Sequence, residues 1–264
     1  MHRLLLAKYA NSDMDAYATR APMKRIMILS GAGLSAESGI RTFRDHDGLW
    51  ENHDVMKVCS TQGWIEDRQY VTRFYNDRRR DLEFKKPNPA HKVLSQLEHD
   101  YRGRIMHLTQ NIDNLMEKAG AKDVIHLHGT LTDLRCEACT QTFHVGYSSQ
   151  EGNEHCPHCG NKRVRHNVVM FGEAAPEYSQ IQEAIRHCTL FIAIGTSGAV
   201  IDIVPIAKEF KHSILIDPKR QETRSVYDPK SYIDEYFEHF IQKKAGDAMD
   251  EMIEIIKEHM DGLR

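Results

Sequence analysis

The 264-residue chain is short of several things, and each shortage removes a class of protein. No run of about eighteen consecutive apolar residues occurs, so no segment is long enough to cross a bilayer as a helix, and no membrane partner is expected. Net charge is slight: a formal value of -3 supplies no long-range basic field, which argues against nucleic acid as the main partner. No internal repeat and no low-complexity stretch breaks the chain. Of six cysteines, four form two CxxC pairs and only Cys59 and Cys188 are left over, which makes a secreted disulfide framework the poorer reading. The start, MHRLLLAKYANSDMDAYATR, has too short an apolar stretch for a secretory signal. Asp13 and Asp15 count against a transit leader despite Arg3 and Arg20. Residues 1–23 therefore read as an N-terminal extension, and a cytoplasmic monomer is expected.

What is present fits a globular protein with a sizeable core: hydrophobic residues are 41% and charged residues 28%. Apolar runs of strand length recur at Arg25–Leu29, Arg104–Leu108, Asp123–His126, Leu190–Ile194 and Ser213–Ile216. Helical patterns such as Pro89–His99 and Ile181–His187 lie between most of them. Alternation of this kind predicts an α/β fold, a Rossmann-like doubly wound parallel sheet that binds its ligand at the carboxyl ends of the strands. Residues 41–88, with helical spacing from Ile65 to Leu82, and the cysteine segment 134–165 break the alternation. They read as insertions forming a smaller domain, a helical piece at about 41–88 and a zinc module at about 131–165. The large domain then takes about 24–40, 89–130 and 166–264.

After the first strand comes GAGLSAESGIRTFR. Gly31, Ala32, Gly33 and Ser35 can form a tight turn whose backbone N–H groups approach a pyrophosphate, with a helix start behind it. A dehydrogenase would carry an acidic residue at the end of a second strand about twenty positions on. Here the stretch around Asp47 and Glu51 is polar with no strand before it, so hydride transfer loses ground. Arg44 can clamp phosphate and Phe43 can cover a ring.

Cys136-x2-Cys139 and Cys156-x2-Cys159, sixteen residues apart, match a four-thiolate zinc site. Four thiolates close the coordination shell, so one structural zinc ion is expected. His144, His155 and His158 read as surface residues. His128 sits at a strand end beside a glycine and suits general-base work near neutral pH. Among sixteen histidines only its company with Asn111 and Asp113 singles it out. Tyr75 and Arg78, at i and i+3 of a helical stretch, share a face that could bind a carboxylate. By spacing alone a solvated basic helix is the simpler reading, since Arg79 and Arg80 adjoin.

The motifs GAGLSAESGIRTFR, TQNID at Thr109–Asp113, His128-Gly129, the paired CxxC knuckles, Val168-Val169-Met170-Phe171-Gly172-Glu173 and Gly195-Thr196-Ser197 occur in the order of the sirtuins. The chain resembles those NAD-dependent protein-lysine deacylases over roughly residues 24 to 257. It is most similar to the bacterial and mitochondrial class whose members remove succinyl and malonyl groups, because that class carries the Tyr-x-x-Arg pair.

The resemblance implies that Gly31, Ala32, Gly33, Ser35, Glu37, Thr42, Phe43, Arg44 and Trp50 wrap the diphosphate and nicotinamide side of NAD. Gln110 and Asn111 would touch the ribose, Ile112 and Asp113 the carboxamide, Gly195, Thr196 and Ser197 the phosphates, and Asp217 and Ala245 the adenosine end. Tyr75 and Arg78 would read an acidic acyl group. Val169, Phe171, Gly172 and Glu173 would receive the substrate backbone, with main-chain hydrogen bonds and a loose sequence preference. His128 and Asn111 would be catalytic, His128 deprotonating a ribose hydroxyl after the acyl oxygen of the modified lysine displaces nicotinamide. Products would be free lysine, nicotinamide and O-acyl-ADP-ribose. Three departures stand out: the delayed Pro205 after Gly195-Thr196-Ser197, Met170 where tryptophan is frequent, and Asp217 where asparagine is frequent.

Two other readings remain open at this point. An NAD-dependent ADP-ribosyltransferase would share the scaffold and differ in the nucleophile. A zinc-ribbon nucleic-acid module would need clustered basic and aromatic residues, and residues 134–165 supply only Arg135, Lys162, Arg163 and Arg165.

Overall fold

A computed structural model describes residues 23–41, 49–50, 53–223 and 232–261, with 49–50 as backbone only. Its strands are β1 (Ile26–Ser30), β2 (Leu49–Trp50), β3 (His53–Asp54), β4 (Ile105–Thr109), β5 (Val124–His126), β6 (Gly129–Cys136), β7 (Thr142–His144), β8 (Val164–Val168), β9 (Leu190–Ile194), β10 (His212–Ile216) and β11 (His239–Ile241). Six of them form one sheet in the order β11-β10-β9-β1-β4-β5, and every neighbouring pair is parallel. The order runs outward in both directions from the β1–β9 pair, so the topological switch point, where such sheets bind ligands, lies between their carboxyl ends. This is the doubly wound fold that the sequence predicts. The sixth strand, β11, was outside that expectation.

Both faces of the sheet are covered. Ile26 and Ile28 of β1 join Ile192, Ile194, Ile214 and Ile216 in one core cluster, with Leu94, Met252 and Ile256 from helices Pro89–Asp100 and Met249–Asp261. The alternate residues Met27 and Leu29 pack with Phe191, Ala193 and Leu215 against Ile181, Ala184, Ile203 and Ile206. A strand buried on both faces is apolar along most of its length, which is why β1 and β9 were legible as continuous runs.

The helical insertion divides where its sequence provides a cap. A single helical stretch was expected from Ile65 to Leu82, but Thr61–Glu66 ends at Asp67, whose carboxylate accepts the Tyr70 amide at 2.8 Å and starts Arg68–Phe84. The cysteine segment differs more. It contributes to a three-stranded antiparallel sheet, β7-β6-β8, that periodicity did not reveal. Strand β7 has no buried residue, so no apolar run marks it. Val71, Phe74, Tyr75 and Leu82 of the long helix pack with Leu131, Val168 and Met170, joining helix and small sheet through a third core.

Three consecutive arginines on that helix meet three environments. Arg79 is fully buried and donates to the carbonyls of Leu131, Asp133 and Ser148, fastening the helix to β6 and to the loop after β7. Arg80 pairs with Asp77 at the surface. Arg78 lines the large cleft described next, its guanidinium carbon 5.4 Å from the Phe74 ring centre.

Candidate active site

Two glycine-bearing turns meet at the switch point. The Gly31 amide donates to Ile194 O at 3.0 Å and the Gly33 amide to Gly195 O at 2.8 Å. A Cβ on Gly33 would fall 2.6 Å from Gly195 Cα, and one on Gly195, whose φ is +62°, would fall 2.3 Å from the Leu34 amide. The turns touch backbone to backbone, so side chains are excluded from a floor that lines a cleft of ≈ 1030 Å³. With no side chain in the way, a pyrophosphate could approach the backbone of that floor closely.

The same cleft is lined by Gly31, Ala32, Gly33, Glu37, Tyr75, Arg78, Gln110, Asn111, Ile112, Asp113, His128, Val169, Phe171, Gly172, Glu173, Gly195, Thr196, Ser197, Asp217 and Ala245, all singled out from the sequence. Ser35 is fully buried beneath it. Thr42, Phe43, Arg44 and the side chain of Trp50 lie outside the described residues.

The segment after β4 is held from below. Ser30 Oγ, fully buried, lies 2.9 Å from His107 Nε2 and donates to Thr109 Oγ1 at 2.9 Å, and Thr109 Oγ1 accepts the Asn111 amide at 3.1 Å. Burial pushes His107 down to about 3, so its imidazole is neutral. Asn111 Nδ2 donates to Gly31 O and Ser35 Oγ, tying this segment to the glycine turn. Ser35 Oγ donates to Asp113 Oδ2 at 2.9 Å, and Gln110 Nε2 to Thr196 Oγ1 at 2.9 Å. Burial pushes the Asp113 carboxyl up, partly offset by the bonds from the Leu115 amide and Ser35. Of the buried members of this network, Ser30 and His107 belong to no motif that the sequence offered, whereas Thr109 opens TQNID and Ser35 lies in the glycine loop.

Two histidines grip successive carbonyls of that segment. His126 Nδ1 donates to Asn111 O at 2.9 Å, while Nε2 meets Glu117 Oε1 at 2.8 Å. Burial alone would lower its pKa, but the bond and charge of Glu117 raise it. His128 Nδ1 donates to Gln110 O at 2.9 Å, and its Nε2 faces Tyr178 Oη at 2.8 Å. Burial lowers the His128 pKa below the ordinary 6.5, against the opposing effect of the Gln110 bond. Beside it Gly129 adopts φ +79°, and a Cβ there would meet Asn167 O at 2.1 Å, so the strand can turn only at glycine.

A base must be neutral to act, and a depressed pKa keeps this imidazole neutral to lower pH. The acidic limb of a kcat/KM profile is therefore expected to have its midpoint below 6.5. A midpoint at or above that value would remove burial as the governing influence on His128.

The Tyr75–Arg78 side of the cleft holds a residue that the sequence left without a role, Cys59. Tyr75, fully buried, donates its hydroxyl to Cys59 Sγ at 3.5 Å, and burial pushes the Cys59 thiol up to about 12. Phe171 bridges to the same segment: its amide donates to Cys59 O at 2.7 Å and its carbonyl accepts the Thr61 amide at 2.9 Å. The amides of Val169 and Met170 are also engaged, by His128 O and Glu173 Oε2. Glu173 is held by Arg165 and Arg135, so its carboxylate braces the segment from within.

At the far end of the small sheet the four cysteine sulfurs lie within 4.8 Å of one another. The Cys136–Cys159 and Cys139–Cys156 Sγ distances are both 3.7 Å. Tetrahedral zinc with Zn–S bonds of about 2.3 Å sets sulfurs about 3.8 Å apart, so the cluster fits one structural zinc ion. Chelation of the purified protein is expected to release about one zinc per chain, with loss of the small sheet and of activity. A metal analysis that finds none would remove the site. Among the described residues no helix is long and apolar enough to cross a membrane.

Switch-point turns, a brace of polar side chains and a closed thiolate cluster define a dinucleotide-binding protein with a metal-stapled lobe. The chain belongs to the Sir2 family, whose model matches residues 31–202. A Campylobacter jejuni protein named NAD-dependent protein deacylase is 46% identical over 213 residues, covering 81% of this chain and 91% of the relative. The Trypanosoma brucei NAD-dependent protein deacylase SIR2rp3 is 41% identical over 227 residues, covering 81% and 93%. A crystal structure of a Sir2 homolog–NAD complex superposes with a TM-score of 0.74 at 32% identity, covering 90% of this chain and 91% of the other. Sir2Af2 bound to a myristoylated histone peptide does so at 0.63 and 25% identity, covering 90% and 93%.

Proposed function

We propose that the chain is an NAD-dependent protein-lysine deacylase, and that acetyl, succinyl and malonyl groups on lysine are its substrates. The observation that carries the reading is one cleft: the glycine floor, the His128 imidazole and the Tyr75–Arg78 face all line it.

Gly31, Gly33, Gly195, Thr196 and Ser197 would hold the diphosphate, Gln110, Asn111, Ile112 and Asp113 the nicotinamide half, and Asp217 with Ala245 the adenosine half. When bound, NAD supplies an electrophilic ribose carbon from which nicotinamide departs, and ribose hydroxyls that accept the acyl group. The chain's own contribution is positional and protonic. Gln110 O fixes the proton of His128 on Nδ1, which leaves the Nε2 lone pair as the acceptor for a hydroxyl proton. Ser35 and Asn111 keep Asp113 and the glycine turn in register. The Phe171 amide and the Cys59 carbonyl tie together the two segments beside the Tyr75–Arg78 face.

Arg78 and the Tyr75 hydroxyl supply donors suited to a carboxylate, which supports succinyl and malonyl groups as substrates beside acetyl. Cys59 is a weak acceptor, so an arriving carboxylate would readily take the Tyr75 hydrogen bond from it. The test is a panel of acetyl-, succinyl- and malonyl-lysine peptides assayed with and without NAD. Turnover that needs NAD and yields O-acyl-ADP-ribose by mass spectrometry supports the reading; an ADP-ribosylated protein in its place would favour transfer to protein.

A further inference from the structure

The reaction depends on one atom of His128, and the structure places a hydroxyl against it. Because the Gln110 carbonyl accepts from Nδ1 at 2.9 Å, the neutral ring carries its proton there and Nε2 is left with a single in-plane lone pair. Tyr178 Oη lies 2.8 Å from Nε2, and the two rings are 5.8 Å apart at 46°. A phenol facing that lone pair donates to it.

Tyr178 is well placed to hold this position. It closes the short 3-10 turn Pro176–Tyr178, its amide donating to Ala175 O at 3.1 Å. Its ring packs on the core cluster that contains Ile181 and Phe191, while its hydroxyl reaches the cleft wall. The ring is therefore anchored at one end and polar at the other.

We propose that Tyr178 is a positioning residue that caps His128 Nε2 in the ligand-free enzyme, holding the imidazole in one tautomer and orientation until a ribose hydroxyl displaces the phenol. The proposal rests on the reading of His128 as the general base. One lone pair cannot accept from two donors at once, so the phenol and the reacting hydroxyl compete for it. The cap keeps the ring aligned for its task and weakens cofactor binding by the free energy of one hydrogen bond.

The test is Tyr178→Phe in the full chain, which keeps the ring and removes the donor. The KM for NAD is expected to fall about fivefold with kcat unchanged, the size of one net hydrogen bond. In the ligand-free protein the His128 titration, followed by imidazole NMR, is expected to move upward, because the donor that favoured the neutral ring is gone. Every other ionisable group is the same in both proteins: Glu37, Arg41, Cys59, Tyr75, Arg78, Asp81, Lys85, Asp113, Glu173, Asp217, Lys219 and Lys244 on the cleft, and His126 at the end of β5.

A merely structural tyrosine would change the melting temperature and leave the titration in place, and that result overturns the proposal. So does a fall in kcat at constant KM, which would make Tyr178 part of turnover. If the variant does not fold, the wild type decides: an Nε2 resonance showing no hydrogen bond without ligand overturns the cap. Failure of the base assignment is separable, since it appears as turnover that survives His128→Ala.

Discussion

Replacing His128 with alanine is expected to lower deacylation by about 10²- to 10⁴-fold while NAD still binds, the range for loss of a positioned general base. The two effects separate because different elements carry them. The glycine floor is built by Gly31, Gly33 and Gly195, whose mutual contacts do not involve the imidazole. The segment after β4 has its own supports in Ser30, Thr109 and Ser35. Two bonds are lost, from Nδ1 to Gln110 O and from Tyr178 Oη to Nε2, and His126 still grips the next carbonyl. Calorimetry with NAD and a coupled nicotinamide assay read the two quantities separately. Substantial remaining turnover in a folded, NAD-binding variant would refute the base.

The second large effect is a change of preference. Arg78→Met is expected to cost about a hundredfold in kcat/KM on succinyl-lysine and less than about threefold on acetyl-lysine, since a desolvated carboxylate loses its charged partner and an acetyl group has none to lose. Fold should survive, because the arginine that fastens the helix to β6 is Arg79. Burial lowers the Arg79 pKa to about 10, in keeping with a group held by carbonyls inside the protein. Equal losses on the two peptides would show that Arg78 does not read the acyl group. The control Arg79→Met is expected to lower the melting temperature instead.

The large sheet was legible wherever burial on two faces forces continuous apolar residues, as in Ile26–Ser30 and Leu190–Ile194. The three residues of β11 and the exposed β7 lack that signature; β11 pairs with β10 and β7 with β6 just before it, and neither strand carries an apolar run. Glycine positions were readable because their geometry forbids other residues; φ +62° at Gly195 is one such case. Side chains that act through others left no local mark. Tyr178 sits in a short polar connection, and Cys59 lies in a stretch read only as an insertion. What placed both at the cleft is tertiary, so spacing along the chain carried no trace of it. Tyr75 and Arg78 are intermediate: the i, i+3 pattern put them on one face, and only packing says that this face looks into the cleft.

His128 occupies the short passage by which the chain leaves β5 of the large sheet and enters β6 of the small one. The imidazole thus sits like a pin in a joint, with one leaf made of the cofactor floor and the other of the thiolate knuckles. Along the chain the distant cysteines connect to the large sheet through this imidazole, so a disturbance at the knuckles would reach His128 before it reached the glycine floor.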